Sequence, residues 1–205
     1  MTIPKKLFLI AAIALYIPCI TLTSEKSNHQ KNKQYSIEKF NLTRDIDAVV
    51  NLCHKEWHLL FIGGDNFSDK DKYKYCNAMF ENYNNNAQLS GAKVLYENDK
   101  LAGFASHKVE GQKGLVELLA VEQNFRGKGY GKILLTDSID ELHNKDINSI
   151  DICVRKNNIP ALTLYKKTGF NKISNRKNIY PDCAVCLEYN PSDIHTSLSN
   201  QNSKA

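Results

Sequence analysis

"RGKGYGKILL", Arg126 to Leu135, sets three glycines and three basic residues in seven positions and then turns apolar. Before it, "GLVELLAV" (Gly114 to Val121) reads as a strand, apolar apart from Glu117. After it, Gly129 to Asn144 carries Ile133, Leu134, Ile139 and Leu142 as the apolar stripe of a helix. Where a strand hands over to a helix, the first N–H groups of the helix have no intrahelical acceptor, and with the dipole they form an anion site. Gly127, Gly129 and Gly131 permit positive φ and remove side chains that would hold a phosphate away from the backbone. Arg126, Lys128 and Lys132 add charge at the rim. A diphosphate is the natural guest. Two common phosphate loops fail on spacing: Arg126 stands where a Walker A loop needs its first glycine, and Lys132 where a dinucleotide fingerprint needs its last.

Outward from this loop, the chain alternates strand and helix patterns. "YSIEKF" (Tyr35 to Phe40) alternates like a strand, and Asp45 to Leu60 repeats apolar residues at helical spacing. Asp69 and Asp71 lack the glycine and terminal glutamate of a calcium loop, so a solvated turn leading into a helix over Lys72 to Tyr83 is expected. "AKVLYENDKLAGFASHKV" is a hairpin turning at Asn98-Asp99. "SIDICV" is a strand, "IPALTLYKKTG" a helix closed by Gly169, and "CAVCLEY" a last strand. The resulting order, β-α-α-β-β-β-α-β-α-β-β, is an α/β fold on a mixed sheet without repeats.

The 205 residues suit one domain with short appendages, and 42% hydrophobic residues supply a core. A net charge of +5 without a basic block excludes a nucleic-acid footprint. Residues 1–24 hold Lys5 and Lys6 followed by an apolar run from Leu7 to Leu22, read as a secretory signal or a membrane anchor. The expected divisions are a polar linker over 25–34, the folded domain over 35–189 and a polar tail over 190–205. Six cysteines show no disulfide framework. Cys183 and Cys186 lie in an apolar run with no second pair or zinc-finger histidine, so small buried side chains and no metal are expected.

The spacing R-x-x-G-x-G of Arg126 to Gly131 resembles the acyl-CoA loop of the GNAT N-acetyltransferase superfamily. "VRKNNIPALTLYKKTGF" (Val154 to Phe170) resembles a second signature of that family, an Asn seven before a Tyr and then Gly-Phe. The resemblance implies a mixed central sheet with a splayed strand pair and about four flanking helices. It implies acetyl-CoA as acyl donor, its pantetheine arm lying in the splay against the backbone of Leu119, Ala120 and Val121. Val121 N–H is the expected oxyanion donor, and Gly127, Lys128, Gly129, Tyr130, Gly131 and Lys132, beside Arg126, the expected pyrophosphate cradle. Asn158 is placed to bond the cofactor, a role compatible with capping the helix before Pro160.

By the same resemblance Tyr165 is the general acid toward the departing thiolate, against the bland alternative of a tyrosine packed on its helix's inner face. Glu117, a carboxylate within an apolar strand, is the candidate base, with a solvated position on the sheet as the alternative. "NRKNIYP" (Asn175 to Pro181) resembles the tail of the ribosomal-protein alanine N-acetyltransferases, which carry a glutamate base where this chain has Cys153. The implied activity is acetyl transfer to a primary amine: a protein N-terminus, a lysine or a small molecule. The alternatives are a catalytically weak CoA-binding module and an exported interaction protein. The acceptor is expected over His54 to Lys74 and Arg176 to Asp182, with Trp57 and Tyr180 as candidate lining. Family habit implies a homodimer, and Leu7 to Leu22 either a membrane tether with the domain in the cytosol or secretion.

Overall fold

The computed structural model describes residues 35–62, 66–85, 90–174 and 183–190. The leader and linker expected over 1–34, most of the expected tail, and the Arg176 to Asp182 segment with Tyr180 lie outside the described residues. Seven strands form one sheet in the order β1-β2-β3-β4-β5-β7-β6. They are β1 Tyr35–Lys39, β2 Ser90–Glu97, β3 Lys100–Glu110, β4 Lys113–Val121, β5 Ser149–Arg155, β6 Phe170–Ile173 and β7 Ala184–Tyr189. The helices are α1 Leu42–Lys55, α2 Trp57–Leu60, α3 Asp69–Asn85, α4 Tyr130–His143 and α5 Ile159–Thr168. Among the described residues no helix is long and apolar enough to cross a membrane.

Local chemistry sets the element ends. Asn41 caps α1 by accepting from Arg44 N–H, and the buried Asp45 carboxylate accepts from Asn41 N–H at 2.7 Å and from Tyr96 Oη at 2.7 Å. Burial alone would raise the Asp45 pKa, but bonds from Arg44, Asn41 and Tyr96 outweigh it and hold the carboxyl below its ordinary value. The helix expected over Asp45 to Leu60 breaks at Glu56, where the chain turns from α1 into the single turn of α2. Asn98 and Asp99 take positive φ (50° and 60°), as a two-residue hairpin turn requires.

The sheet has two covered faces. Val49, Cys53, Cys76 and Phe80 from α1 and α3 pack on Phe104, Leu118 and Ala120. On the other face, Leu135, Ile139 and Leu142 of α4 and Tyr165 of α5 pack with Val116, Ile152 and Phe170. Val116 and Leu118 thus lie on opposite faces, although strict alternation would put them on one. The cause is a bulge: Ser106 pairs with Leu118 and His107 with Val116, leaving Glu117 as the extra residue of β4.

Among the described strands the sheet is cut part-way along its one parallel pair. β4 and β5 are in register from Lys113↔Ser149 to Val116↔Ile152, and their pairing ends there. From Cys153 onward β5 pairs with β7 alone, while Leu118 to Val121 stay with β3. Cys153 is disulfide-bonded to its register partner Cys186, which corrects the expectation of independent buried thiols. The link was hidden because Cys153 lies 33 residues from its partner in sequence. Cys183, the other end of the C-x-x-C, is exposed and free.

One buried histidine gives the fold a pH dependence. His107 is 1% exposed, neither ring nitrogen is hydrogen-bonded, and Nε2 lies 3.5 Å from Glu141 Oε2. Burial lowers its pKa to about 4; Glu141 opposes the shift, while Lys145 and Lys93 add to it. The unfolded chain therefore takes this proton first, so the contribution is intact above about pH 6.5 and is lost as pH falls toward 4. That loss amounts to roughly 3 kcal/mol. Urea unfolding of wild type and His107→Leu across this window should show the wild type losing the larger share; parallel curves would refute the assignment.

Candidate active site

The gap between β4 and β5 opens into a cavity of about 390 Å³. Leu119, Ala120 and Val121 form one wall, the loop and first turn of α4 the second, and α5 with Asn158, Leu164 and Tyr165 the third. Glu56, Leu59 and Leu60 roof it. Two bonds fix that roof: Arg155 of β5 donates to Phe61 O at 2.7 Å, and Arg126 of the loop pairs with Glu56. The turn of α2 is therefore tied to both sides of the gap.

The backbone phase of β4 decides which groups face the cavity. Glu122 N–H donates to Ala102 O at 2.9 Å on β3. Strand periodicity then gives the Ala120 backbone to β3 and turns the N–H and C=O of Leu119 and Val121 toward the gap. Val121 O already accepts from Arg126 Nε at 3.0 Å. Ala120 thus borders the cavity without offering it the backbone groups expected of it.

The loop glycines serve different ends. Gly127 (φ 78°) and Gly129 (φ 89°) are left-handed, and a Cβ on either would meet nothing in the protein within 4 Å. Gly131 instead lets α4 approach α5, since a Cβ there would stand 3.2 Å from Leu164 Cδ2. Gly129 caps α4, so the N–H groups of Tyr130, Gly131 and Lys132 begin the helix without intrahelical acceptors and border the cavity. The three expected rim cations differ in their partners. Arg126 is paired with Glu56, and Lys128 lies 2.6 Å from Glu97 Oε2 and over the Phe125 ring. Lys132 borders the cavity and makes no ion pair among the described residues. The Tyr130 ring is buried against Tyr35, so its backbone alone can serve an anion.

Asn158 caps α5, its Oδ1 accepting from Ala161 N–H at 3.3 Å, and borders the cavity as well. Tyr165 is 5% exposed on the inner face of α5 and lines the cavity; burial pushes its phenol well above the ordinary value. Glu117 does not line this cavity. It faces a second one of about 160 Å³, with Phe61, Tyr75, Met79 and Cys153, and pairs with Lys108 at 2.6 Å. Leu60 borders both cavities. Trp57 is buried, stacked on Phe61 at 4.1 Å between ring centres. Cys153, in its disulfide, holds no proton to exchange.

Among the described residues no cluster of His, Cys, Asp and Glu is placed to hold a metal ion. Residues 48–170 match the model of the acetyltransferase (GNAT) family. The chain belongs to that family. Its curated relatives include the [ribosomal protein bS18]-alanine N-acetyltransferase of Salmonella typhimurium, 34% identical over 87 residues, 42% of this chain and 59% of that protein. The chain thus spans rather more than half the length of that relative. The mycothiol acetyltransferase of Clavibacter michiganensis is 37% identical over 90 residues, 44% of this chain and 26% of that protein.

Solved GNAT structures share the fold. The PaiA N-acetyltransferase of Thermoplasma acidophilum, in complex with coenzyme A, superposes with TM-score 0.61 at 18% identity, covering 76% of this chain and 98% of that one. The ribosomal-protein-S18-alanine N-acetyltransferase of Escherichia coli gives 0.56 at 25% identity, over 76% and 92%. For this GNAT chain the loop is the sharpest test. Gly129→Glu places a carboxylate where only a ligand would meet it, at a strain of ~1–2 kcal/mol from the left-handed φ. Calorimetry should find coenzyme A binding abolished in a variant whose circular dichroism is native. Undiminished affinity would remove the loop from the donor site.

Proposed function

We propose that the chain transfers the acetyl group of acetyl-CoA directly to a primary amine, and that the amine is a protein or peptide N-terminus. The observation that carries the reading is the open β4–β5 edge, continued by the left-handed glycine loop at the start of α4. A pantetheine arm extends along Leu119 and Val121, and its diphosphate takes the first N–H groups of α4 and the Lys132 charge. The relative solved with coenzyme A supports the donor, and the relatives named for acetylating an alanine of a ribosomal protein support the acceptor class.

The amine nitrogen attacks the thioester carbonyl carbon, and the C–S bond breaks from the tetrahedral intermediate. Val121 N–H, turned into the gap, is the donor for the developing oxyanion. The sulfur leaves as thiolate and takes a proton. Tyr165 is the proton source, its buried and raised phenol yielding the proton only to a thiolate that is itself poorly solvated. The nitrogen sheds one proton to solvent water as the amide forms, and the phenol is reprotonated from solvent. No carboxylate stands at Cys153, and Glu117 is already ion-paired, so strong base assistance is absent from both expected places. That favours an acceptor needing little of it: an α-amine of pKa ~7.8 is neutral about once in 7 at pH 7, a lysine about once in 2,500. The same two facts also favour the alternative, a module that binds acyl-CoA and turns over weakly.

The disulfide belongs to an oxidising compartment, in keeping with the Leu7 to Leu22 leader acting as an export signal. Export carries the enzyme away from cytosolic acetyl-CoA, so a donor must be supplied where it works.

The test is a mass-spectrometric assay with acetyl-CoA, an alanine-starting peptide, and the same peptide N-terminally blocked but carrying a lysine. Acetylation of the free terminus is expected, with Tyr165→Phe lowering kcat by roughly 10²-fold or more and KM little changed. Modification of the lysine alone would overturn the acceptor assignment. Coenzyme A binding without any turnover would select the weak module.

A further inference from the structure

Glu117 owes its direction to the bulge of β4, which turns the residue out of the strand alternation toward the smaller cavity. Phe61, Tyr75 and Met79 line that cavity with it, and Leu60 stands between this space and the donor cavity. An acceptor seated there lies across Leu60 from the donor cavity and meets the Glu117 carboxylate. That carboxylate already holds a primary ammonium. Lys108 Nζ lies 2.6 Å from Glu117 Oε1 and 2.9 Å from Glu110 Oε1.

We propose that Lys108 is an internal stand-in for the acceptor's ammonium, occupying Glu117 in the empty site and withdrawing to Glu110 when the acceptor arrives. This rests on the acetyltransferase reading above. The exchange is close to balanced. One primary ammonium replaces another on Glu117, and Lys108 keeps a carboxylate partner at the outer end of β3. The three side chains are 34%, 20% and 40% exposed, so no deeply buried charge is stranded by the move. Burial by itself would lower the Lys108 pKa, but the hydrogen bonds it donates to Glu117 and Glu110 outweigh it and raise the value, so the stand-in stays charged.

Three consequences are specific. Glu117 is a positioning residue that holds the incoming α-ammonium until it loses its proton to solvent, and Lys108 sets how tightly it does so. Glu110 provides the place to which Lys108 retreats. The 160 Å³ volume limits the size of the group beside the amine.

The experiment titrates an alanine-starting tetrapeptide amide into the full chain with coenzyme A bound, so that no acetyl transfer occurs. Lys108→Met removes the competitor and should tighten peptide binding roughly two- to fivefold, the scale of an exposed ion pair. Lys108→Arg, a fork that holds a carboxylate with two bonds, should weaken it. Glu110→Gln should weaken it too, because Lys108 then has only Glu117. A general loss of structure would weaken binding in all three variants and lower coenzyme A affinity with it; opposite signs for Met and Arg would not arise that way. In steady state the same variants should change KM for the peptide in the same directions. Unchanged or weaker peptide binding in a folded Lys108→Met overturns the proposal. A peptide that binds and responds in this pattern without being acetylated leaves the inference standing and refutes the enzymatic reading.

Discussion

Four residue pairs join β4 to β5, and the fifth is missing. At Val116 and Ile152 the parallel ladder stops, yet both strands continue, each held by its antiparallel neighbour on the outer side. Backbone groups left without a strand partner need another, and here they border a cavity rather than a packed core. The rest of the site follows from this one interruption. The carbonyl and amide of Leu119 and Val121 face the gap because Ala120 and Glu122 are committed to β3. The disulfide joins β5 to β7 at the first residue past the break. Arg155 and Arg126 then tie α2 across the top.

Charge in the loop is organised more than it is accumulated. Glu56 and Glu97 each take one of the cations beside the glycines, and Lys132 is left at the cavity edge. In the proposed donor site the anion meets the backbone N–H groups of α4 and one lysine, with the two paired residues holding the loop in shape. The Glu117 carboxylate, facing the smaller cavity, is likewise paired with a cation, Lys108.

What could be read from the sequence was local. The left-handed glycines, the Asn158 cap and the Gly169 stop are each set by a few neighbouring residues, and their positions agree with the expected helix boundaries. Asn98-Asp99 was equally legible as a turn. The features that escaped depend on register between distant segments. Nothing in "GLVELLAV" marks Glu117 as a bulge, because the extra residue exists only relative to β3. Cys153 and Cys186 become partners only once β5 and β7 pair, and the nearer Cys183 drew attention instead. Arg126 and Lys128 read as free cations because Glu56 and Glu97 lie 70 and 31 residues away.

The central claim is that the open edge of β4 receives the acyl donor as an added strand. Amide hydrogen exchange of the intact protein, with and without coenzyme A, tests it residue by residue. The account predicts that the Leu119 and Val121 amides exchange readily in the free protein and become strongly protected when coenzyme A binds. The Ala120 amide, bonded to β3, should be protected in both states. Coenzyme A binding that leaves Leu119 and Val121 exchanging at their free rates would contradict the account.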